Sequence, residues 1–115
     1  MFCASFIWEP GTYDADFHQL NEMIDAVAVS LPGYLGVESW QNADGSRRCA
    51  NYYWTDLETL RAFSVHPSHQ EAKRLYARWY KGYHIVISEV VRSYGDGAFP
   101  YITPNMNQCK QCHVN

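Results

Sequence analysis

The chain has 115 residues, a formal net charge of -3 and 18% charged residues. That length fits one hydrophobic core and not two. The mildly acidic balance, with no run of Lys or Arg, lacks the electrostatic footprint that phosphate backbones demand and excludes nucleic acid as the natural partner. No apolar stretch approaches the ~20 residues that cross a bilayer, which excludes a membrane span.

Aromatic residues make up 16% of the chain, nine of them Tyr and four Trp. A core this small rarely hides so many rings, so part of them should line a pocket or a subunit interface. Met1 to Pro10 carries no basic segment of the kind that opens an export signal. The four cysteines, Cys3, Cys49, Cys109 and Cys112, are too sparse for a disulfide scaffold, so the expected setting is soluble and cytoplasmic.

In chain order, residues 2 to 8 are short, aromatic-rich and closed by Pro10-Gly11, as a first strand and its turn should be. From Asp14 the apolar residues Phe17, Leu20, Ile24, Val27, Ala28 and Leu31 recur at steps of three and four, predicting a helix with one buried face. Thr12 or Asp14 can cap it, and Pro32-Gly33 stops it. Tyr34 to Trp40 and Cys49 to Trp54 flank Asp44-Gly45, a dipeptide that readily takes positive φ, so these two runs form a hairpin. Asp56 to Ser64 is helical in pattern. Pro67 drives His66 out of the α region and breaks the segment there. A second helical piece, with Ala72, Leu75, Tyr76 and Trp79 on one face, runs to Gly82, expected as its left-handed C-terminal cap. Tyr83 to Tyr94 alternates two faces and reads as the last strand.

The order βαββαβ predicts an α+β, ferredoxin-like domain over residues 1–95, a four-stranded antiparallel sheet with its helices on one side. Residues 96–115, rich in Gly and Pro and without periodicity, should form an extended or partly disordered arm. Apolar residues on both faces of the strands leave the side away from the helices in need of cover, which predicts a homodimer. The alternative cover is the C-terminal arm folded back over its own sheet.

The stretches Pro32-Gly33-Tyr34-Leu35-Gly36, Tyr53-Trp54-Thr55-Asp56-Leu57-Glu58-Thr59-Leu60 and His66-Pro67-Ser68-His69-Gln70-Glu71-Ala72-Lys73 resemble the antibiotic biosynthesis monooxygenase domain and its haem-degrading relatives. The resemblance covers roughly residues 1 to 95, most of one domain's length. It implies a dimeric α+β barrel with a pocket in each subunit between the sheet and the second helix. It also implies a small monooxygenase acting on an aromatic metabolite or on haem, with no cofactor required or with haem as the substrate. Haem-degrading members use an Asn on the first strand, a Trp in the second helical region and a His one turn further on. Here the first strand has no Asn, Phe63 stands at the Trp position and Lys73 at the His position. His69, four residues before Lys73, shares its face and could bring an imidazole to the same pocket.

On this reading His69 is the candidate base, with Asn51 or Tyr53 holding the substrate oxygen, while Trp8, Phe63, His66, Lys73 and Tyr76 contact the substrate. Core and dimer packing is the plainer account of most of the aromatic residues. His66 and His69 are also a possible metal or haem site. The plainer account there is that His66 caps the kink and His69 is a solvated helix residue. Cys109-Lys110-Gln111-Cys112-His113 matches the Cys-x-x-Cys-His pattern of c-type haem attachment, and the same side chains offer three zinc ligands or a free thiol pair. A second reading of the whole chain is a non-catalytic ligand-binding or stress-response dimer of the same fold.

Overall fold

The computed structural model describes residues 1–108, so the Cys109 to His113 motif lies outside the described residues. The elements are β1 (Phe2–Pro10), α1 (Ala15–Ser30), β2 (Tyr34–Gln41), β3 (Arg48–Trp54), α2 (Leu57–Ser64), α3 (Pro67–Trp79) and β4 (Tyr80–Glu89). The strands form one antiparallel sheet in the order β2-β3-β1-β4. This is the ferredoxin-like arrangement, with the second helical region split in two at Pro67.

Local chemistry sets the boundaries. Asp14, not Thr12, caps α1: its carboxylate accepts the Phe17 N–H at 2.9 Å. The same carboxylate accepts Trp79 Nε1 at 3.0 Å and Arg78 Nη2 at 2.8 Å, so one side chain fastens the start of α1 to the end of α3. The Phe17 N–H, helped by Arg78 and Trp79, holds this carboxyl below the ordinary aspartate range. Asp56 caps α2 through the Thr59 N–H, and His66 caps α3 through the Ser68 N–H. Gly45 closes the hairpin at φ 73°, where an L side chain would be strained.

Two boundaries differ from the sequence reading. Gly82 is not a helix cap; α3 ends at Trp79, and Tyr80 is already extended. Its backbone N–H still bonds Tyr76 O while the residue pairs with Pro10. The β1 edge therefore recruits the chain three residues earlier than glycine punctuation suggests, and β4 ends at Glu89 opposite Phe2, with one more bond from the Val90 N–H to Met1 O at 2.9 Å.

The register divides the sheet into two chemistries, since successive side chains point to opposite faces. Toward the helices stand the cross-strand rows Val37, Tyr52, Ala4, Ile87 and Ser39, Ala50, Phe6, Ile85. The core forms there: Trp54, Leu60, Phe63, Ile24 and Ala28 are buried, with Trp54 fully so. Away from the helices stand the rows Gly36, Tyr53, Cys3, Ser88; Glu38, Asn51, Ser5, Val86; and Trp40, Cys49, Ile7, His84. This open side is more polar than the sequence reading expects, because the first strand places Cys3 and Ser5 there and the fourth places His84 and Ser88.

The chain after β4 returns across that open side. Ser93 and Thr103 join by their hydroxyls, Asn105 bonds both the N–H and the C=O of Gly95 at 3.1 Å, and Met106 N–H reaches Ser93 O at 2.9 Å. These contacts close residues 93–106 into a strap. Ile102 seats it on β2 at Gly36, where φ is 149° and an added Cβ would stand 3.2 Å from the Ile102 methyl. Self-cover by the C-terminal segment, the second of the two covers read from the sequence, is what the structure shows for this part of the sheet.

Candidate functional site

On the helix side an aromatic surface runs from the sheet to α3. Trp8 stacks on Phe6 at 5.1 Å, Phe6 meets Tyr80 at 5.5 Å and Tyr83 at 5.8 Å, and Tyr76 of α3 meets Tyr83 edge-on at 4.9 Å. Trp8 Nε1 donates to Tyr13 OH at 2.8 Å, fixing the indole plane. Tyr76, Tyr83, Ile85 and Ile87 remain 40 to 52% exposed, so this aromatic surface stays open to solvent beside the closed core. Phe6, Tyr13, Tyr52, Tyr80 and Tyr83 are the members that sequence reasoning missed. The period-two alternation that places Phe6 beside Trp8 on one face of β1 was the signal available for one of them.

Phe63 lies in the core against Trp54 and Tyr52. The His69 ring stands edge-on to it at 4.6 Å, and His69 Nδ1 is buried with no hydrogen-bond partner. Loss of hydration, with Lys73 and His66 adding positive charge, pushes the imidazole down to about 4. His69 is therefore neutral near pH 7 and a weak base, better fitted to hold a hydrogen bond than to abstract a proton. It is not the solvated helix residue of the plainer sequence account. His66 Nδ1 is engaged by Ser68, and Lys73 Nζ donates to Ser64 O at 3.2 Å. Both brace the α2–α3 junction. Among the described residues no group of three or more His, Cys, Asp or Glu is placed to hold a metal.

Tyr52 adds a second polar group to this side. Burial first, then the charges of Asp25 and Tyr34, push its phenol up to about 12, and burial likewise raises Tyr80. Both stay protonated at any physiological pH and act only as neutral donors or acceptors.

Asn51 and Tyr53 stand on the other side of the sheet from His69. Their neighbours are Ser5, whose hydroxyl donates to Asn51 Oδ1 at 2.7 Å, and Tyr101 of the strap, whose hydroxyl is 3.5 Å from that of Tyr53. The constellation of His69 with Asn51 or Tyr53 is thus divided by the backbone of β3, a direct result of odd and even positions facing opposite ways. A cavity of about 1050 Å3 lies on this open side between sheet and strap. The space between the sheet and α2, where the resemblance implies a pocket, is filled by Trp54, Leu60 and Phe63. The aromatic surface lies further along α3.

YqjZ of Bacillus subtilis (strain 168), an uncharacterized protein, is 32% identical over 80 residues, which are 69% of this chain and 69% of that protein. The chain belongs to the YqjZ family. No family model matches the sequence. Its fold is that of the antibiotic biosynthesis monooxygenases. A Deinococcus radiodurans protein named for that activity superposes with a TM-score of 0.67 at 13% identity, over 83% of this chain and 97% of that one. SnoaB of Streptomyces nogalater, a cofactor-independent oxygenase, gives 0.64 at 12% identity, over 80% and 94%. A Nitrosomonas europaea protein of the same naming gives 0.63 at 16%, over 80% and 100%. In this YqjZ-family chain, no helix among the described residues is long and apolar enough to cross a membrane.

The buried imidazole makes a stability prediction. As pH falls, the unfolded chain takes up the His69 proton near 6.5 and the folded chain only near about 4. The contribution is fully present above 6.5 and is lost progressively as pH falls toward about 4, by on the order of 3 kcal/mol. Urea unfolding between pH 4 and 7 should show that slope in the wild type and a flattened one in His69→Phe. Equal slopes in the two proteins would contradict the burial of this ring.

Proposed function

We propose that this chain is a small oxygenase that acts on an aromatic metabolite held on the helix-side aromatic surface, with no cofactor. One observation carries the reading. Two buried ring nitrogens on the helix side, His69 Nδ1 and Trp54 Nε1, have no protein partner, and both rings lie against Phe63, which also meets the neutral phenol of Tyr52. A buried polar atom left unpaired costs about 1 to 3 kcal/mol, and a bound hydroxyl or carbonyl would satisfy it.

The chemistry follows from the groups. A substrate such as an anthrone carries an acidic CH2 flanked by two aryl rings and conjugated through them to a carbonyl; loss of its proton to solvent leaves a delocalised carbanion that passes electrons to dioxygen. The CH2 becomes a carbonyl and the second oxygen atom leaves as water, so the substrate supplies both electron pairs. The protein then has to hold a flat ring system and stabilise the enolate oxygen. Phe6, Trp8, Tyr76 and Tyr83 supply the apolar faces, and the phenols of Tyr52 and Tyr80 are the donors we assign to the oxygen. SnoaB, described as a cofactor-independent oxygenase, shares the fold and supports this choice over haem. The haem reading needs His69 to reach iron, and hemin tests it directly: a Soret shift lost in His69→Ala would favour haem over the aromatic metabolite.

The same reading keeps residues 1–95 as the domain, with residues 96–115 as its appendage, and includes a homodimer. Beyond the strap, Trp40 is 63% exposed, a surface that a second copy would cover. Cys3 and Cys49 are free thiols, in keeping with a cytoplasmic setting. Sedimentation equilibrium should give a dimer that Trp40→Glu weakens; a monomeric wild type would contradict it.

For activity, a dihydroxyanthrone should be converted to the quinone with matching oxygen uptake. Tyr80→Phe should lower kcat by about tenfold or more, as loss of one oxyanion donor does. Because His69 titrates near about 4, kcat/KM should show no inflection near 6.5. A rate equal to buffer with every such substrate would leave the non-catalytic binding protein as the reading.

A further inference from the structure

The open side of the sheet carries a site that the oxygenase reading does not use. Under the strap, the floor is polar at consecutive cross-strand positions: Cys3 faces Ser88, and Ser5 faces Asn51. Asn51 Oδ1 is fully engaged, accepting Ser5 Oγ at 2.7 Å, Cys49 Sγ at 3.5 Å and Cys3 Sγ at 3.9 Å. That arrangement fixes the carboxamide and leaves its Nδ2 donors without a protein acceptor among the described residues. The roof brings rings and hydroxyls together, with Tyr101 edge-on to Tyr53 at 6.2 Å and Phe99 71% exposed at the rim. Strand and strap flank a half-open cleft of about 1050 Å3, room for a ligand at the upper end of the usual small-molecule range.

The strap is built, not draped. Thr103 is buried and paired with Ser93, Asn105 is saturated by Gly95, and Ile102 occupies the space that only a glycine at position 36 leaves. The cleft is therefore a feature of the fold with its own walls.

We propose that this cleft, whose lining carries Arg92 and Asp96 beside the polar floor, binds a hydroxyl-rich ring of the sugar or cyclitol class. Hydroxyls on such a ring both donate and accept, which is what the Asn51 amide, Ser5, Ser88 and the two phenols require. Its C–H faces lie flat against aromatic rings such as Tyr53 and Tyr101. A bare polycyclic hydrocarbon would leave the Asn51 Nδ2 donors and the Ser88 hydroxyl without a partner. The cleft thus selects against the kind of molecule that the opposite surface accepts.

The test is an NMR titration of the full chain with D-glucose, D-galactose, D-mannose and myo-inositol in turn. At least one should give saturable shifts at the Asn51 side-chain amide and at the Gly95, Gly97 and Thr103 backbone amides. Affinity should fall about tenfold or more in Asn51→Leu, the loss of one or two hydrogen bonds, and should be unchanged in His69→Phe. If Asn51→Leu does not fold, Phe99→Ala, which changes only the exposed rim, must show the weakening instead. Absence of saturable shifts with all four probes, or shifts that the cleft variants leave intact, would overturn the proposal.

Discussion

Everything in this chain depends on the two-residue period of its strands. β3 is the clearest case: Tyr52 and Trp54 enter the helix-side interior, while Asn51 and Tyr53 face the strap. A shift of one residue in register would exchange the two sets and place an amide in the core. The helix side takes Tyr52 and Trp54 into the interior while the strap meets Tyr53 and Ser5 bonds Asn51 on the other, so only one register of β3 satisfies both.

The helices inherit their positions from that constraint. α2 lies where Trp54 and Tyr52 need cover, and Phe63 supplies it at 5.0 and 5.7 Å. α3 is held at its start by the His66 cap and at its end by the bonds from Arg78 and Trp79 to Asp14. Exposed ion pairs such as Arg78 with Asp16 at 3.3 Å add little alone; the Trp79 indole, buried and bonded, is the stronger tie. With both ends of α3 fixed, Tyr76 is carried over Tyr83, and the aromatic surface follows from the fold without a loop of its own.

Much of this was legible in the sequence, for identifiable reasons. Steps of three and four gave α1 its buried face, Asp44-Gly45 gave the hairpin, and Pro67 gave the break between α2 and α3. The element order and the resemblance gave the ferredoxin-like sheet. What failed to show was anything decided by pairing across the chain. Gly82 looked like a cap because its neighbours read as a helix end, but β1 pulls the chain into the sheet at Tyr80. Residues 96 to 115 read only as an extended or partly disordered arm, because contacts such as Ile102 on Gly36 leave no period in the sequence. The candidate site was half legible: Trp8 and Tyr76 do meet one aromatic surface, and His69 does enter the interior. Asn51 and Tyr53 were grouped with His69 because all have suitable chemistry, and only the register separates them.

The central claim is that the two sides of the sheet take different molecules and that an aromatic metabolite enters on the helix side. Intermolecular NOEs from a bound dihydroxyanthraquinone, the product of the proposed reaction, test it most directly. The account predicts contacts to the ring protons of Phe6, Tyr52 and Tyr80. Contacts to Tyr53 and Tyr101 instead would place the ligand on the open side and contradict it.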